Sequence, residues 1–416
     1  MKNFFNAIGV ANMEKVHSSM IAWILDDEND PVHSGWPIGK GNFTTFPIKE
    51  RSEIICKMFK QNLRCFNSIC THVEWNDIDV MIETTGAGGN EIWIIENKLK
   101  TPEHKSKVDA AEMARWGTGN QIWQTQKYEY VIKDYISSLG YTISQTHFLL
   151  LSLGGDKAKS PSKLWHELKY EDLHTILNSC SVTHPSAAMI REYINSVGEV
   201  VTELRDFIKK PINYPNVFTK MKKSVKETLL ISGKGITPNE RYILENGLET
   251  IFQKQFLVEM LKRAGLGSYS IVIDDDNGIA EFDCTFHTVK DSRGNDMWLQ
   301  VQFQGGTFKA VLIHENYRNN QPSDYVEIYG SKSGNTWSGK WYKKFIIAEA
   351  SYTKYGWKKR LAQRLGSIPY PKPRIALDKK MSIKDWYDYN DTNIVNMFIA
   401  LFNETKSIVD YISNLP

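Results

Sequence analysis

The chain has 416 residues, about twice what one compact core takes, so two domains are expected and a disulfide-stapled mini-protein is excluded. Hydrophobic residues make up 41%, aromatic residues 12% and charged residues 24%, a balance that fills cores and argues against global disorder. The formal charge is only +3, so a polyanionic partner requires basic residues gathered locally and not a basic chain as a whole.

The first half alternates helix and strand. Residues 13–26 carry helical periodicity, and 78–82 and 91–95 read as strands. The glycine turn Gly86 to Asn90 joins those strands into an antiparallel hairpin. Residues 122–136 follow as a helix, and the nearly continuous apolar run 146–153 suits a strand buried on both faces of an α/β sheet. Residues 185–207 predict an amphipathic helix that closes the domain.

Pro211 and Pro215 then mark a linker, placed at 209–218, between a domain at 1–208 and a second at 219–416. The second half reads as helices at 217–231 and 238–264, strands at 269–274, 279–288, 296–304, 307–314 and 324–330, and a last helix at 391–413, with Gly305-Gly306 as a hairpin turn. The expected architecture is an α/β core followed by an α+β domain with a mainly antiparallel sheet.

Cys56, Cys65, Cys70, Cys180 and Cys284 form no CxxC pair and no ligand spacing with histidine, so a zinc site or disulfide framework is not expected. A reducing, cytoplasmic setting fits. The amino terminus lacks the apolar core of a signal peptide, and no stretch approaches the ~18 apolar residues of a membrane helix, so no membrane partner is expected.

The chemistry concentrates in Asp77 to Glu83 and Ile92 to Lys98. Alternation sets Asp77, Asp79 and Glu83 on one face of the first strand, while Glu96 and Lys98 share a face of the second. The hairpin can therefore bring Asp79, Glu96 and Lys98 together at the end of a sheet. Clustered carboxylates suit a hard divalent cation such as Mg²⁺ or Mn²⁺, and a neighbouring lysine can orient water or stabilise developing negative charge. Acid-x-Lys also occurs at Glu103-His104-Lys105, Glu167-Leu168-Lys169, Asp378-Lys379-Lys380 and Glu404-Thr405-Lys406, so context alone distinguishes Glu96-Asn97-Lys98. A salt bridge at a strand end accounts for Glu96 and Lys98 but leaves Asp79 without a cation.

Two weaker signals accompany it. Glu14 points with Ile21 and Leu25 along the first helix, either as a carboxylate at the edge of the core or as one reaching back to solvent. Gln124 and Tyr128 share a helix face, either as substrate contacts or as a half-buried tyrosine with a polar neighbour.

In order along the chain, these residues resemble the PD-(D/E)XK nuclease superfamily, the restriction-endonuclease-like fold, in its bacterial and phage branch. The resemblance rests on Glu14-Lys15-Val16-His17-Ser18 leading into Ala22-Trp23-Ile24-Leu25-Asp26, on Ile78-Asp79-Val80, on Ile95-Glu96-Asn97-Lys98 and on Gln124 to Tyr128. Leu149 to Leu153 and Trp165 to Leu173 look like the closing elements. It implies Asp79 and Glu96 as metal ligands with the Asn97 main-chain carbonyl, Glu14 completing the site, Lys98 activating water or stabilising the phosphate, and Gln124 and Tyr128 positioning substrate. Ile78 replaces the proline of the motif, and 25 residues separate Lys98 from Gln124, more than the family usually has. The inserted segment from Leu99 to Ile122 is either a substrate-contacting loop or a solvated charged one.

Residues 343–374 hold nine Lys and Arg against one Glu, a local +8. Within this window Lys358, Lys359, Arg360 and Arg364, interleaved with Trp357, Tyr352, Tyr355 and Tyr370, read either as a nucleic-acid contact or as a solvated basic face over core aromatics. The expectation is a Mg²⁺- or Mn²⁺-dependent deoxyribonuclease serving defence, restriction or repair. Its rivals are a catalytically silent nucleic-acid-binding or sensor protein and an RNA-cleaving effector. Cutting both strands of a duplex implies a homodimer by symmetry.

Overall fold

A computed structural model describes residues 14–26, 32–33, 46–99, 103–180, 187–210, 213–214, 216–217, 223–274, 280–304, 306–316, 322–333, 336–361, 374–380 and 391–416. The chain divides into two compact units, Met1–Arg205 and Asp206–Pro416.

The first unit is built on a mixed sheet of six strands. These are β1 (Val32–His33), β2 (Phe66–Trp75), β3 (Ile78–Gly86), β4 (Gly89–Lys98), β7 (Ile143–Ser152) and β8 (Trp165–Lys169), adjacent in that order. The β2, β3 and β4 strands are antiparallel, and β7 and β8 continue the sheet in parallel. Gly86 pairs with Gly89 across a two-residue turn, and Gly89 takes φ +97, a left-handed value that glycine adopts without steric cost. Strand β4 is buried from Glu91 to Leu99, as expected for a strand paired on both edges and covered on both faces.

Helix α1 (Glu14–Leu25) covers one face, where Thr71 Oγ1 donates to the Ala22 carbonyl at 3.3 Å, and α2 (Ile48–Met58) follows it in the chain. On the opposite face lies α4 (Gln124–Ser138), whose Tyr128 and Ile132 pack against Ile78, Met81, Ile92, Ile94, Phe148 and Leu150. Alternation along β4 thus directs Ile92, Ile94, Glu96 and Lys98 to the α4 side and Trp93, Ile95 and Asn97 to the α1 side. The buried Trp93 indole donates to Thr84 Oγ1 at 2.9 Å, which satisfies its only polar atom. In the described part of the inserted segment between β4 and α4, β5 (Lys105–Lys107) pairs antiparallel with β6 (Gln121–Trp123), and α3 (Ala110–Trp116) lies between them, capped by Asp109 and Glu112.

In the second unit, β9 (Ile271–Asp274), β10 (Glu281–Lys290), β11 (Asp296–Gln304), β12 (Thr307–His314), β15 (Lys358–Leu361) and β16 (Arg374–Lys380) form an entirely antiparallel sheet. Its strand order is β15-β16-β12-β11-β10-β9, and the short strands β13 (Lys332–Ser333) and β14 (Thr336–Trp337) pair separately with each other. The closing helix Asp391–Asn414 packs Phe398 against Phe282, Phe303 and Phe308 with ring centroids 5.1 to 5.8 Å apart.

Two expectations are corrected here. Residues 324–330 fall in a helix, Pro322–Tyr329, because alternating Val326 and Ile328 only imitate a strand: Val326 is 47% exposed while the adjacent Ile328 and Tyr329 are both buried. A proline at the first helical position suits that start. The helix expected at 238–264 is two, Pro238–Glu245 and Glu249–Arg263, separated at Gly247 with φ +64. Helix α2, helix Lys340–Tyr352 and strands β2, β15 and β16 were not anticipated. Pro211, Pro215 and Gly305 lie outside the described residues.

On β2 and β3, His72 Nε2 stands 3.4 Å from Glu83 Oε2 and 3.9 Å from the Cys70 sulfur. Burial by itself lowers the imidazole, but Cys70 and Glu83 outweigh it and push His72 up to about 9. The raised value means that this pair's stabilisation is full below the ordinary histidine range and is lost as pH rises through about 9. Urea unfolding between pH 6 and 10 should show that loss, and Glu83→Gln should flatten it.

Candidate active site

Register creates the site. Val80 and Ile95 are the last paired residues of the β3–β4 ladder, and one step beyond them stand Asp79 and Glu96. Strand β4 runs on alone against β7, pairing Glu96 with Leu150 and Lys98 with Ser152. At this ragged end the Asn97 backbone N–H, which no longer meets a strand on the β3 side, donates to Asp79 Oδ2 at 2.7 Å. Lys98 Nζ lies 2.6 Å from Glu96 Oε1. The hairpin therefore does bring Asp79, Glu96 and Lys98 together.

The electrostatics are under tension. Burial, opposed by Lys98 and the Asn97 N–H and reinforced by Glu14, raises the Asp79 carboxyl to about 6. Burial and then the Asp79 charge hold Glu96 well above the ordinary carboxylate range. For Lys98, burial alone lowers the ammonium, and Glu96 and Asp79 more than reverse it, so the lysine is raised and stays charged. Among the described residues neither Glu96 oxygen has a well-directed hydrogen bond, although the residue is fully buried. Withdrawing two adjacent carboxylates from water against one ammonium is costly, because they lack a second positive charge. Hard oxygen donors in this state fit a divalent cation.

Asn97 faces the other side. Its Nδ2 donates to the Glu14 carbonyl at 2.9 Å and to Ser18 Oγ at 3.1 Å, and its Oδ1 accepts from Tyr170 OH at 2.6 Å. Glu14 Oε1 in turn accepts the Leu99 N–H at 2.9 Å. The first turn of α1 is thus stitched to the end of β4, which places Glu14 beside Asp79. Among the described residues no three His, Cys, Asp or Glu side chains form a ready metal cluster, so Glu14 adjoins the Asp79–Glu96 pair without completing a closed set. The side-chain role of Asn97 and the part of Tyr170 were not foreseen, although Tyr170 lies within the stretch singled out as a closing element.

Gln124 begins α4 at the same end of the sheet. It is buried, its Nε2 donates to Tyr128 OH at 2.6 Å, and its Oε1 has no partner among the described residues. Tyr128 is corrected: its ring is fully buried in the core and its hydroxyl donates to the Asp77 carbonyl at 2.5 Å, so it does not present a face to substrate. Its place under Gln124 makes it a support for that residue.

Of the basic window, Lys358 is exposed on β15, an edge strand of the second sheet. Lys359 is half-buried, 3.5 Å from Glu349 Oε2 and 4.9 Å from the centre of the Tyr342 ring. Trp357 is corrected: it is fully buried and its indole donates to Glu404 Oε1 at 2.8 Å, so it is a core ring and offers no stacking surface. The Arg360 side chain, Arg364 and Tyr370 lie outside the described residues, while Tyr355 is 53% exposed.

The family model of the PD-(D/E)XK nuclease superfamily matches residues 2–195. That stretch belongs to the superfamily. It contains Glu14, Asp79, Glu96, Asn97, Lys98, Gln124 and Tyr128, and it leaves the second unit unmatched. Nothing among curated proteins or solved structures matches the chain. Among the described residues no helix is long and apolar enough to cross a membrane.

The Asn97 bonds yield a stability prediction for this superfamily domain. Asn97→Ala leaves Tyr170 OH, Ser18 Oγ and the Glu14 carbonyl without their present partner in a buried setting. Removing one partner of a buried hydrogen bond costs about 1–3 kcal/mol, so a loss of roughly 3 kcal/mol is expected in urea unfolding. Tyr170→Phe, which removes one bond only, should cost roughly 1 kcal/mol.

Proposed function

We propose that the first unit hydrolyses DNA phosphodiester bonds with a divalent cation, Mg²⁺ or Mn²⁺. Asp79, Glu96 and the Asn97 main-chain carbonyl hold it, with Glu14 alongside. The observation that carries this reading is the fully buried Glu96 carboxylate beside the half-buried Asp79 carboxylate, with a single lysine, Lys98, to offset the two. A salt bridge alone has no need of that surplus of negative charge. When bound, the cation supplies Lewis-acid activation of water and neutralises charge on the phosphate.

The protein's own groups supply the rest. Lys98, kept charged by Glu96 and Asp79, serves as a fixed positive group that orients the attacking water and stabilises the charge gathering on the phosphate. Gln124, with its unpartnered Oε1 held in place by Tyr128, positions that water or the strand. The apolar wall of Ile78, Met81 and Ile94 lowers the local dielectric, which strengthens each of these interactions.

The second unit supports recognition of the nucleic-acid backbone through Lys358, Lys359, Arg360 and Arg364, within the segment carrying the local +8. Joint replacement of Lys358, Lys359 and Arg360 by Glu should weaken DNA binding in anisotropy titrations and reduce its salt slope, by about one for each phosphate no longer neutralised.

Asp79→Ala, Glu96→Ala and Lys98→Ala should each lower Mg²⁺-dependent cleavage of plasmid or single-stranded DNA by at least about 100-fold, with EDTA abolishing the wild-type activity. Circular dichroism should show each variant folded. Undiminished cleavage by a folded Lys98→Ala protein would falsify the mechanism, and parallel RNA substrates decide whether DNA is the true one.

A further inference from the structure

The inserted segment ahead of α4 does more than lengthen the chain. Its helix α3 leans on α4, where Trp116 stacks on Tyr130 with centroids 5.3 Å apart and planes 11° from parallel. The Trp116 indole donates to Asp134 Oδ2 at 2.8 Å, and Arg115 pairs with the same oxygen at 3.0 Å. Between α3, α4 and the β2–β3 turn lies a cavity of 490 Å³, walled by the rings of Trp75, Trp116 and Tyr135. That volume falls in the range of about 300–1,000 Å³ found for small-molecule sites.

The turn that floors this cavity is tight. Trp75 pairs with Ile78, so Asn76 and Asp77 are its two central residues, and their φ of 49° and 67° are the left-handed values a two-residue hairpin turn requires. Lys127 Nζ holds Asp77 Oδ2 at 3.0 Å, and Tyr128 OH holds the Asp77 carbonyl. The floor of the cavity is therefore held from two sides by residues of α4. Asp77 is two residues from Asp79, so its Cα lies at most about 7 Å from that of the metal-binding aspartate.

We infer that this cavity receives an unpaired nucleobase of the strand being cut, displaced from the nucleotide next to the scissile phosphate. The inference rests on the nuclease reading and gives it a substrate class: nucleic acid with at least one unpaired base at the site. Ring walls favour a flat aromatic ligand, because every base offers a π-face. Arg115 and Lys127 are each paired with a carboxylate, so the cavity carries no surplus positive charge for a phosphate or other small anion. A neutral ring carrying hydrogen-bonding edges suits Asp134 and Asp77 at its rim, and its proximity to Asp79 fits a group tethered to the reacting phosphate.

The test measures binding by the full chain in EDTA, where cation-dependent cleavage is silent. Fluorescein-labelled single strands of one sequence, as DNA and as RNA, are compared with the same sequence annealed as a blunt duplex. Trp116→Ala removes one wall. Ser138→Trp fills the cavity from the exposed end of α4, where the native hydroxyl donates only to the Tyr135 carbonyl at 2.7 Å, so it keeps the test meaningful if Trp116→Ala unfolds. Both should weaken single-strand binding about tenfold, as loss of one stacked base does, and leave duplex binding within about twofold. The DNA and RNA arms show which sugar the base arrives on. Unchanged single-strand affinity in folded Ser138→Trp, or an equal loss for the duplex, overturns the proposal. Because no cleavage enters this readout, the nuclease reading fails separately, through wild-type protein that binds strands through the cavity yet cuts nothing with Mg²⁺ or Mn²⁺.

Discussion

The first unit depends on the end of strand β4. A β-strand covered on both faces sends successive side chains in opposite directions, also here where it has run past β3 and pairs with β7 alone. Glu96, Asn97 and Lys98 obey that rule: the charged pair enters the α4 side while Asn97 enters the α1 side and ties down Glu14, Ser18 and Tyr170. The chemistry-bearing face and its mechanical support are therefore consecutive residues of one strand. A slip of one residue in the β3–β4 register would bury Asn97 beside Asp79 and turn Glu96 into the hydrophobic packing of α1.

The same geometry makes the site electrostatically frustrated. Asp79 and Glu96 are pressed together away from water, which raises both, and only Lys98 offsets them. A core selected for stability alone has no use for such an arrangement, since apolar residues of similar shape avoid the desolvation penalty altogether. The surrounding packing holds it in place: Ile78, Met81, Ile92 and Ile94 on the same face anchor the strands, and Tyr128 anchors Gln124. The tight β2–β3 turn and the carboxylate pair are neighbours in the chain, since Asp77 of the turn is two residues from Asp79.

The second unit follows a different logic. Its sheet is antiparallel throughout, with a phenylalanine-rich face buried against the closing helix. Aromatic residues interleaved with lysines invite the reading of a stacking surface, yet Trp357 proves to be core with its indole satisfied by Glu404. Basic residues at an edge strand serve two ends at once, since charge also discourages edge-to-edge pairing with other chains. Lys358 has that position, whereas Lys359 is partly committed to Glu349.

The sequence by itself determined the hairpin, the buried strand beyond it and the convergence of Asp79, Glu96 and Lys98, because strand alternation and a glycine turn are local rules that need no long-range information. It also singled out Glu14 and Gln124, which the fold brings to the same end of the sheet, through their order along the chain more than through any property of either residue. Tertiary structure alone decided which face each aromatic ring took. Tyr128 and Trp357 carry the same composition signal whether they stack on substrate or fill a core, and only the elements packed against them distinguish the two. It alone revealed that Asn97 works through its side chain, and that a segment legible only as a charged insertion folds into α3 and walls a cavity. Those outcomes depend on interactions between residues tens of positions apart, such as Asn97 with Ser18 and Tyr170, and no periodicity within a short window encodes them.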